Sequence, residues 1–177
     1  MKQRLFQTGL LRLVAVGLLA LTLASCSGAR ARMREKVRID GIERVRPQGL
    51  SRLYLELLTT NDSGHNLKIK ELTLSFYRTS AADPTVTATL TEPVLLRRHT
   101  AGVLPTKWHL TYADLLSWLP LVQSVAKGNF DGWRVAIRLR GRCGVIPINI
   151  SSEALPLSAI LRTFGIDTVN LEKLVNP

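Results

Sequence analysis

The sequence lacks the residue patterns that mark the common kinds of catalytic and cofactor site. Its 12 glycines form neither a phosphate-binding loop nor a dinucleotide-binding fingerprint, and no serine lies in a G-x-S-x-G motif. The three histidines, His65, His99 and His109, are not spaced as metal ligands, and no cysteine or acidic cluster accompanies them. We therefore expect no enzyme and no bound metal or cofactor. An enzyme whose site has no sequence signature is the alternative.

Long apolar runs are also missing. The clearest apolar segment, residues 13–24 (LVAVGLLALTLA), has 12 residues, whereas a membrane-spanning helix needs about 20. Lys2, Arg4 and Arg12 lie on its N-terminal side, where there is no acidic residue. A basic region followed by a short apolar region is typical of a secretory signal. A buried core helix is the alternative, and the basic N-terminal position disfavours it.

The sequence has only two cysteines, and the first of them directly follows the predicted signal. The sequence Leu23-Ala24-Ser25-Cys26 resembles the bacterial lipobox, in which an aliphatic residue and two small residues precede an obligatory cysteine. The resemblance implies transfer of diacylglycerol to the Cys26 thiol, cleavage before it and acylation of the new amino terminus. Residues 1–25 are then a lipoprotein signal peptide, and residues 26–36 are the lipid anchor with a basic tether.

The second cysteine, Cys143, has no disulfide partner if Cys26 carries lipid. We expect Cys143 to be a buried, unreactive thiol, with a reactive or intermolecular thiol as the alternative. Removal of residues 1–25 leaves 152 residues, which suffice for one domain. Without a disulfide, this domain must be held together by its core.

Acidic residues are scarce: the sequence has 13 Asp and Glu but 24 Lys and Arg. Three basic residues leave with the signal, so the remaining 21 exceed the acids by eight. Five bases cluster in residues 29–38 (ARARMREKVR). They would contact anionic headgroups or form a solvated linker, and the two interpretations are compatible. No basic motif with aromatic residues is present, so we predict that the protein does not bind nucleic acid. The predicted partner is the membrane, through the lipid on Cys26.

Alternating apolar residues predict six to eight short strands from residue 37 onward. Two irregularities interrupt the alternation and predict bulges, one near Gly41 and one near Lys70–Glu71. The turn formers of residues 61–66 (NDSGHN) predict a hairpin between the strands on either side. We expect a mainly β fold: an antiparallel immunoglobulin- or fibronectin III-like sandwich over residues 37–177, with one inserted helix and a short C-terminal helix near residues 156–165.

The inserted helix is predicted over residues 113–127, capped by Thr111 or Asp114 and kinked or split at Pro120. It has few polar residues for a surface helix. Packing in the core explains this composition. The alternative is an apolar groove for a lipid or another apolar ligand, lined by Leu115, Trp118, Leu119 and Val122.

The strand pattern of residues 37–150 resembles the late-embryogenesis-abundant type 2 domain, also called the water-stress and hypersensitive-response domain. The resemblance lies in an apolar strand ending in Asn61, a small polar loop, Leu67-x-Ile69, a strand ending in Tyr77, and the strand from Gly132 to Gly141. It implies an immunoglobulin- or fibronectin-like sandwich and no catalytic residues. Members of the family include lipid-anchored envelope proteins of bacteria.

Together these observations predict a lipid-anchored, non-catalytic binding or structural protein of the cell envelope. Its partners would be the membrane, through the N-terminal lipid, and an envelope protein or a lipid. Ser27 follows Cys26 where an inner-membrane retention signal would have Asp, and the tether is basic. We therefore expect an outer-membrane lipoprotein that faces the periplasm. A plasma-membrane lipoprotein and a cell-surface lipoprotein are the alternatives.

Overall fold

The computed structural model describes residues 36–114, 116, 119–126 and 129–159. The predicted signal, Cys26 and most of the predicted C-terminal helix lie outside these residues, although residues 157–159 are helical. The described part contains the helix α1 (Leu119–Ala126), and it contains no helix that is long and apolar enough to cross a membrane. Its strands are β1 (Val37–Pro47), β2 (Arg52–Asn61), β3 (Leu67–Arg78), β4 (Val86–Leu90), β5 (Val94–Leu96), β6 (Thr100–Tyr112), β7 (Trp133–Cys143), β8 (Ile146–Ser151) and β9 (Leu155–Pro156).

These strands form one curled sheet in the order β1-β2-β6-β4-β3-β7-β8, with β5 paired to β3 and β9 paired to β7. Every pairing is antiparallel. The prediction of a mainly β, antiparallel fold is therefore confirmed.

Alternation along the strands places one face of each in a common core. In β2 the alternate residues Leu53, Leu55 and Leu57 are each at most 1% exposed. In β7 the alternate apolar residues from Trp133 to Leu139 are also buried, whereas Arg138 and Arg140 point outward. The core is completed by β3, β4, β5, β6 and α1, through Leu72, Leu74, Phe76, Val86, Ala88, Leu90, Val94, Leu96, Trp108, Leu110 and Leu121.

A bulge in β3 keeps this core continuous. The pairing of β3 with β7 shifts register between Ile69 and Glu71, so the predicted bulge is confirmed. Lys70 and Glu71 are both exposed there, which moves the buried positions from Ile69 to Leu72. Gly141 lies opposite Ile69, and a Cβ atom at residue 141 would collide with the carbonyl oxygen of Lys68. The close approach of the two backbones therefore requires glycine. The predicted irregularity of β1 near Gly41 is also confirmed, by register shifts on both sides of Gly41.

The predicted hairpin between β2 and β3 is wrong. In the structure β2 pairs with β1 and β6, whereas β3 pairs with β4, β5 and β7. The turn formers of residues 61–66 build a crossing loop, which is held by the buried side chain of Asn61 instead of by a ladder between the flanking strands. Local turn chemistry indicates that the chain changes direction, but it does not specify which strand comes next to it.

The inserted helix is shorter than predicted, because α1 begins at Leu119. Pro120 lies in its first turn, where the missing N–H is not needed for a helical hydrogen bond. The predicted split at Pro120 thus marks the beginning of the helix. Asp114 accepts a hydrogen bond at 2.7 Å from the backbone N–H of Leu116 and so caps a preceding turn.

The strands run between two ends of the domain, which differ in their connections. We call one the entry end: it comprises Lys36, the loop of residues 62–66, the turn of residues 97–99 and the hairpin turn of residues 144–145. These segments are adjacent because Val37 and Thr100 both pair with Asn61, and Leu67 pairs with Cys143. We call the other the helix end: it comprises residues 48–51, 79–85, 113–114, 116 and 129–132, and α1.

Candidate functional site

A cleft with a volume of about 570 Å³ opens at the entry end. Four segments line it: the loop before β3, the start of β3, the region around β5, and the β7–β8 turn. The lining residues are Gly64, His65, Asn66, Lys68, Pro93, Val94, Leu95, Arg98, Arg142 and Gly144. This lining includes three permanently basic side chains and, among the described residues, no acidic one.

Two of the cations lie directly opposite each other on neighbouring strands. Lys68 on β3 pairs in register with Arg142 on β7, so their Cβ atoms are about 4.5–5.5 Å apart on the outer face of the sheet. Like charges in directly opposed positions destabilise a sheet. On its other side Lys68 pairs with Leu95 of β5, which leaves no acidic neighbour in that row.

The third cation, Arg98, is placed by a tight turn after β5. The hydroxyl of Thr100 donates to the carbonyl oxygen of Arg97 at 2.6 Å, and His99 has a left-handed backbone with φ of 52°. Such a conformation is uncommon for residues other than glycine, although His is among the more tolerant types. The turn places Arg98 at the cleft, beside the loop of residues 62–66.

Asn66 connects two of the segments that border the cleft. Its side-chain oxygen accepts the backbone N–H of Arg98 at 2.8 Å, and its carbonyl oxygen accepts the N–H of Gly144 at 2.9 Å. Gly144 has a positive φ of 58° as the first residue of the two-residue β7–β8 turn, a position that favours glycine. The cleft wall is therefore a hydrogen-bonded unit.

A buried polar cluster supports this unit from below. The side-chain amide of Asn61, which is 1% exposed, donates to the carbonyl oxygens of His65 (3.1 Å) and Leu96 (3.2 Å). Its oxygen accepts both the N–H and the hydroxyl of Ser63. Because each group in this cluster has a partner, burial of the amide is compensated and the loop is fixed to β5.

The cleft cations have no carboxylate partner among the described residues, whereas nearby acids are already engaged. Asp62 lies 3.6 Å from Arg38, and Glu71 lies 3.6 Å from Arg140. Lys68, Arg98 and Arg142 thus create a positive potential that the described side chains do not neutralise. Arginine and lysine donors that converge on a concavity are suited to an anion with several oxygens.

The border of the cleft carries exposed aliphatic side chains. Val145, at the tip of the β7–β8 turn, is 96% exposed. Leu95, which lines the cleft, is 45% exposed. The site therefore combines cations with an apolar border on the same end of the domain.

The residues singled out in the sequence have different positions in this structure. His65 lines the cleft, His99 lies in the adjoining turn and His109 lies on the exposed face of β6. Within the described residues, no group of three or more His, Cys, Asp or Glu could hold a metal ion. Cys143 is buried as predicted, and burial raises the pKa of its thiol.

The apolar groove predicted on the inserted helix stays a prediction. Leu119 is 38% exposed at the beginning of α1, while Leu115, Trp118 and the side chain of Val122 lie outside the described residues. Leu121, on the same helix, is fully buried, and Ser124 accepts a hydrogen bond from the indole N–H of Trp133 at 3.0 Å. At least one face of α1 therefore packs on the core.

The three cleft cations were not predicted as a site from the sequence. In the sequence, Lys68 and Arg142 alternate with apolar residues and are therefore expected on the outer face of their strands, and Arg98 lies in a basic turn. These three residues could not be placed together without the pairing of β3 with β7, because the predicted hairpin placed β3 beside β2.

Comparison with known proteins adds little to this description. No family model matches the chain, and no characterised protein sequence matches it either. A crystal structure of a protein from Archaeoglobus fulgidus is similar to it, with 14% sequence identity and a TM-score of 0.40. The similarity covers 65% of this chain and 91% of that one. It is too low to carry an argument about fold or function.

Proposed function

We propose that this protein is a lipid-anchored, non-catalytic binding or structural protein of the cell envelope. Cys26 would carry the lipid, and the domain that follows would be an immunoglobulin- or fibronectin III-like sandwich related to the late-embryogenesis-abundant type 2 domain. The proposed location is the periplasmic face of the outer membrane.

The main support is the position at which the chain enters the domain. The carbonyl oxygen of Lys36 accepts the N–H of Asp62 at 2.6 Å, and Arg38 lies 3.6 Å from the Asp62 carboxylate. The start of β1 is thereby fixed beside the loop of residues 62–66. Residues 27–36 span at most about 35 Å at 3.3–3.6 Å per residue. An acylated Cys26 would thus hold the entry end close to the membrane.

Two features of the fold support the proposal of a sandwich. The antiparallel strands enclose one core, and Asn61, which belongs to the sequence resemblance, anchors the crossing loop between β2 and β3. Such a loop, which joins strands that do not pair, is typical of sandwich topologies.

Replacement of Cys26 tests the anchor. In a Gram-negative host, the Cys26→Ala chain should lose incorporation of radiolabelled palmitate and acylation-dependent processing, and Cys143→Ala is the matched control that should keep both. Incorporation of palmitate into Cys26→Ala at the level of the parent would overturn the proposal.

The location has its own test: protease added to intact cells should leave the parent chain uncut, and rapid digestion would contradict a periplasmic position.

A further inference from the structure

We propose that the entry-end cleft binds the phosphate group of an anionic membrane lipid. The ligand chemistry is a phosphate held by Lys68, Arg98 and Arg142, with its apolar part toward Leu95 and Val145. This inference rests on the proposed function, because the anchor is what would bring the cleft to a membrane.

The charges favour a phosphate group as the ligand. Lys68 and Arg142 face each other across two paired strands, and the turn of residues 97–99 adds Arg98. Opposed like charges cost stability in the empty domain, and a bound phosphate would remove that cost while accepting hydrogen bonds from the three side chains. The absence of carboxylates from the described lining excludes competition from an internal anion.

The apolar border favours a lipid over a free phosphate. Leu95 lines the cleft, and Val145 follows Gly144, which lines it too. A soluble anion would gain nothing from these side chains, whereas acyl chains or the membrane interface would cover them at about 25 cal/mol per Å² of buried apolar surface. Cations beside exposed aliphatic residues match the anionic headgroups and apolar interior of a bilayer surface.

The direction of the chain favours a membrane on this side. Lys36, the last tether residue, is hydrogen-bonded to Asp62, which begins the loop that continues through Gly64, His65 and Asn66 along the cleft. The tether and the cleft therefore share one end of the domain. A lipid bound in the cleft would come from the membrane that holds the anchor.

Calorimetric titration of the purified full chain in a neutral detergent tests the site. The ligands are dihexanoyl phosphatidylglycerol, dihexanoyl phosphatidylcholine and inorganic phosphate. Partition into the micelle is common to the two lipids, so their difference reports the headgroup. We expect phosphatidylglycerol to bind at least about tenfold more tightly than either of the others. Binding of inorganic phosphate as tight as that of phosphatidylglycerol would overturn the assignment to a lipid.

Two double variants with equal charge change locate the binding. Lys68→Gln with Arg142→Gln should weaken phosphatidylglycerol binding by roughly tenfold or more per cation removed. Lys70→Gln with Arg138→Gln, on the same two strands outside the cleft, should weaken it less than about threefold. Equal weakening by the two pairs would overturn the site, because general charge attraction would then explain the binding.

The apolar border has a separate variant. Val145→Ser should weaken phosphatidylglycerol binding and leave inorganic phosphate binding unchanged, and it will not disturb the core because Val145 is 96% exposed. Unchanged lipid binding would contradict the role of the border. Since these titrations in detergent do not require acylation, they fail or succeed independently of palmitate incorporation at Cys26.

Discussion

The entry end and the helix end of the domain use their polar residues differently. At the helix end, Asp114 and Asn129 accept backbone N–H groups within their own turns, at 2.7 and 2.9 Å. At the entry end, Asn66 and Asn61 do similar structural work, but Lys68, Arg98 and Arg142 have no carboxylate partner among the described residues. The polar groups of the helix end are satisfied by their own turns, whereas the cations of the entry end are the groups on which the proposed phosphate site depends.

The two ends also differ in the sign of their charge. Asp83, Asp114 and Asp131 are exposed in the turns of the helix end. At the entry end, Asp62 lies within ion-pair distance of Arg38. A domain tethered beside an anionic surface would be oriented by this asymmetry, with its basic end toward the membrane. The distribution of charge between the two ends therefore says more about the orientation of the domain than the net excess of basic residues does.

The largest expected effect comes from breaking the polar cluster of the entry end. Asn61→Leu removes the partner of the buried Leu96 carbonyl oxygen and the acceptor of the Ser63 N–H, and it removes one of the two donors to the His65 carbonyl oxygen. Each buried group left without a partner costs about 1–3 kcal/mol, so we expect the free energy of unfolding to fall by about 3 kcal/mol or more. Urea unfolding of the full chain in a neutral detergent, followed by circular dichroism, measures this change.

Asn129→Ala is the matched control at the helix end. Asn129 is exposed and accepts one hydrogen bond, from the N–H of Asp131, so its loss should cost about 0.5–1.5 kcal/mol. Similar losses for the two variants would show that the polar cluster does not hold the entry end in the way described.

The strands and the inward faces were predictable from the sequence, because alternation of apolar residues depends on local pattern alone. The bulge at Lys70–Glu71 was predictable for the same reason, since the change of phase from Ile69 to Leu72 is visible in the chain. The neighbours of each strand were not predictable. The pairing of β3 with β7 joins residues about 65 positions apart, and no short-range pattern encodes such a contact.

The candidate site was hidden for the same reason. Lys68, Arg98 and Arg142 come from three separate segments, and each has the appearance of an ordinary solvent-exposed basic residue in the sequence. Only the sheet order brings them to one cleft. Cys26 is the opposite case, because its predicted role depends on contiguous residues and needs no fold.

A smaller effect, dependent on pH, is expected at the helix end. Burial raises the pKa of Tyr112 to about 12 from an ordinary value of 10.0, and its hydroxyl donates to the carbonyl oxygen of Leu50 at 2.8 Å. The unfolded chain releases this proton near pH 10, whereas the folded chain keeps it. The contribution of Tyr112 to stability should therefore be complete below pH 10 and decline as the pH rises toward 12.

The free energy of unfolding of the parent and of Tyr112→Phe, measured from pH 8 to pH 11, isolates this contribution. The parent should lose more stability than the variant above pH 10, because Phe has no proton to release. Parallel curves would contradict a protonated, half-buried phenol at this position.

The central claim, that the entry end faces an anionic membrane, is tested most directly by a fluorophore at each end of the anchored protein. Val145→Cys and Asp131→Cys give exposed thiols at the entry end and the helix end, and the buried Cys143 of the parent serves as the labelling control. An environment-sensitive label is read in nanodiscs of phosphatidylcholine with and without phosphatidylglycerol. We predict a blue shift at residue 145 that grows with phosphatidylglycerol and is absent at residue 131. An equal or larger shift at residue 131 would contradict the account.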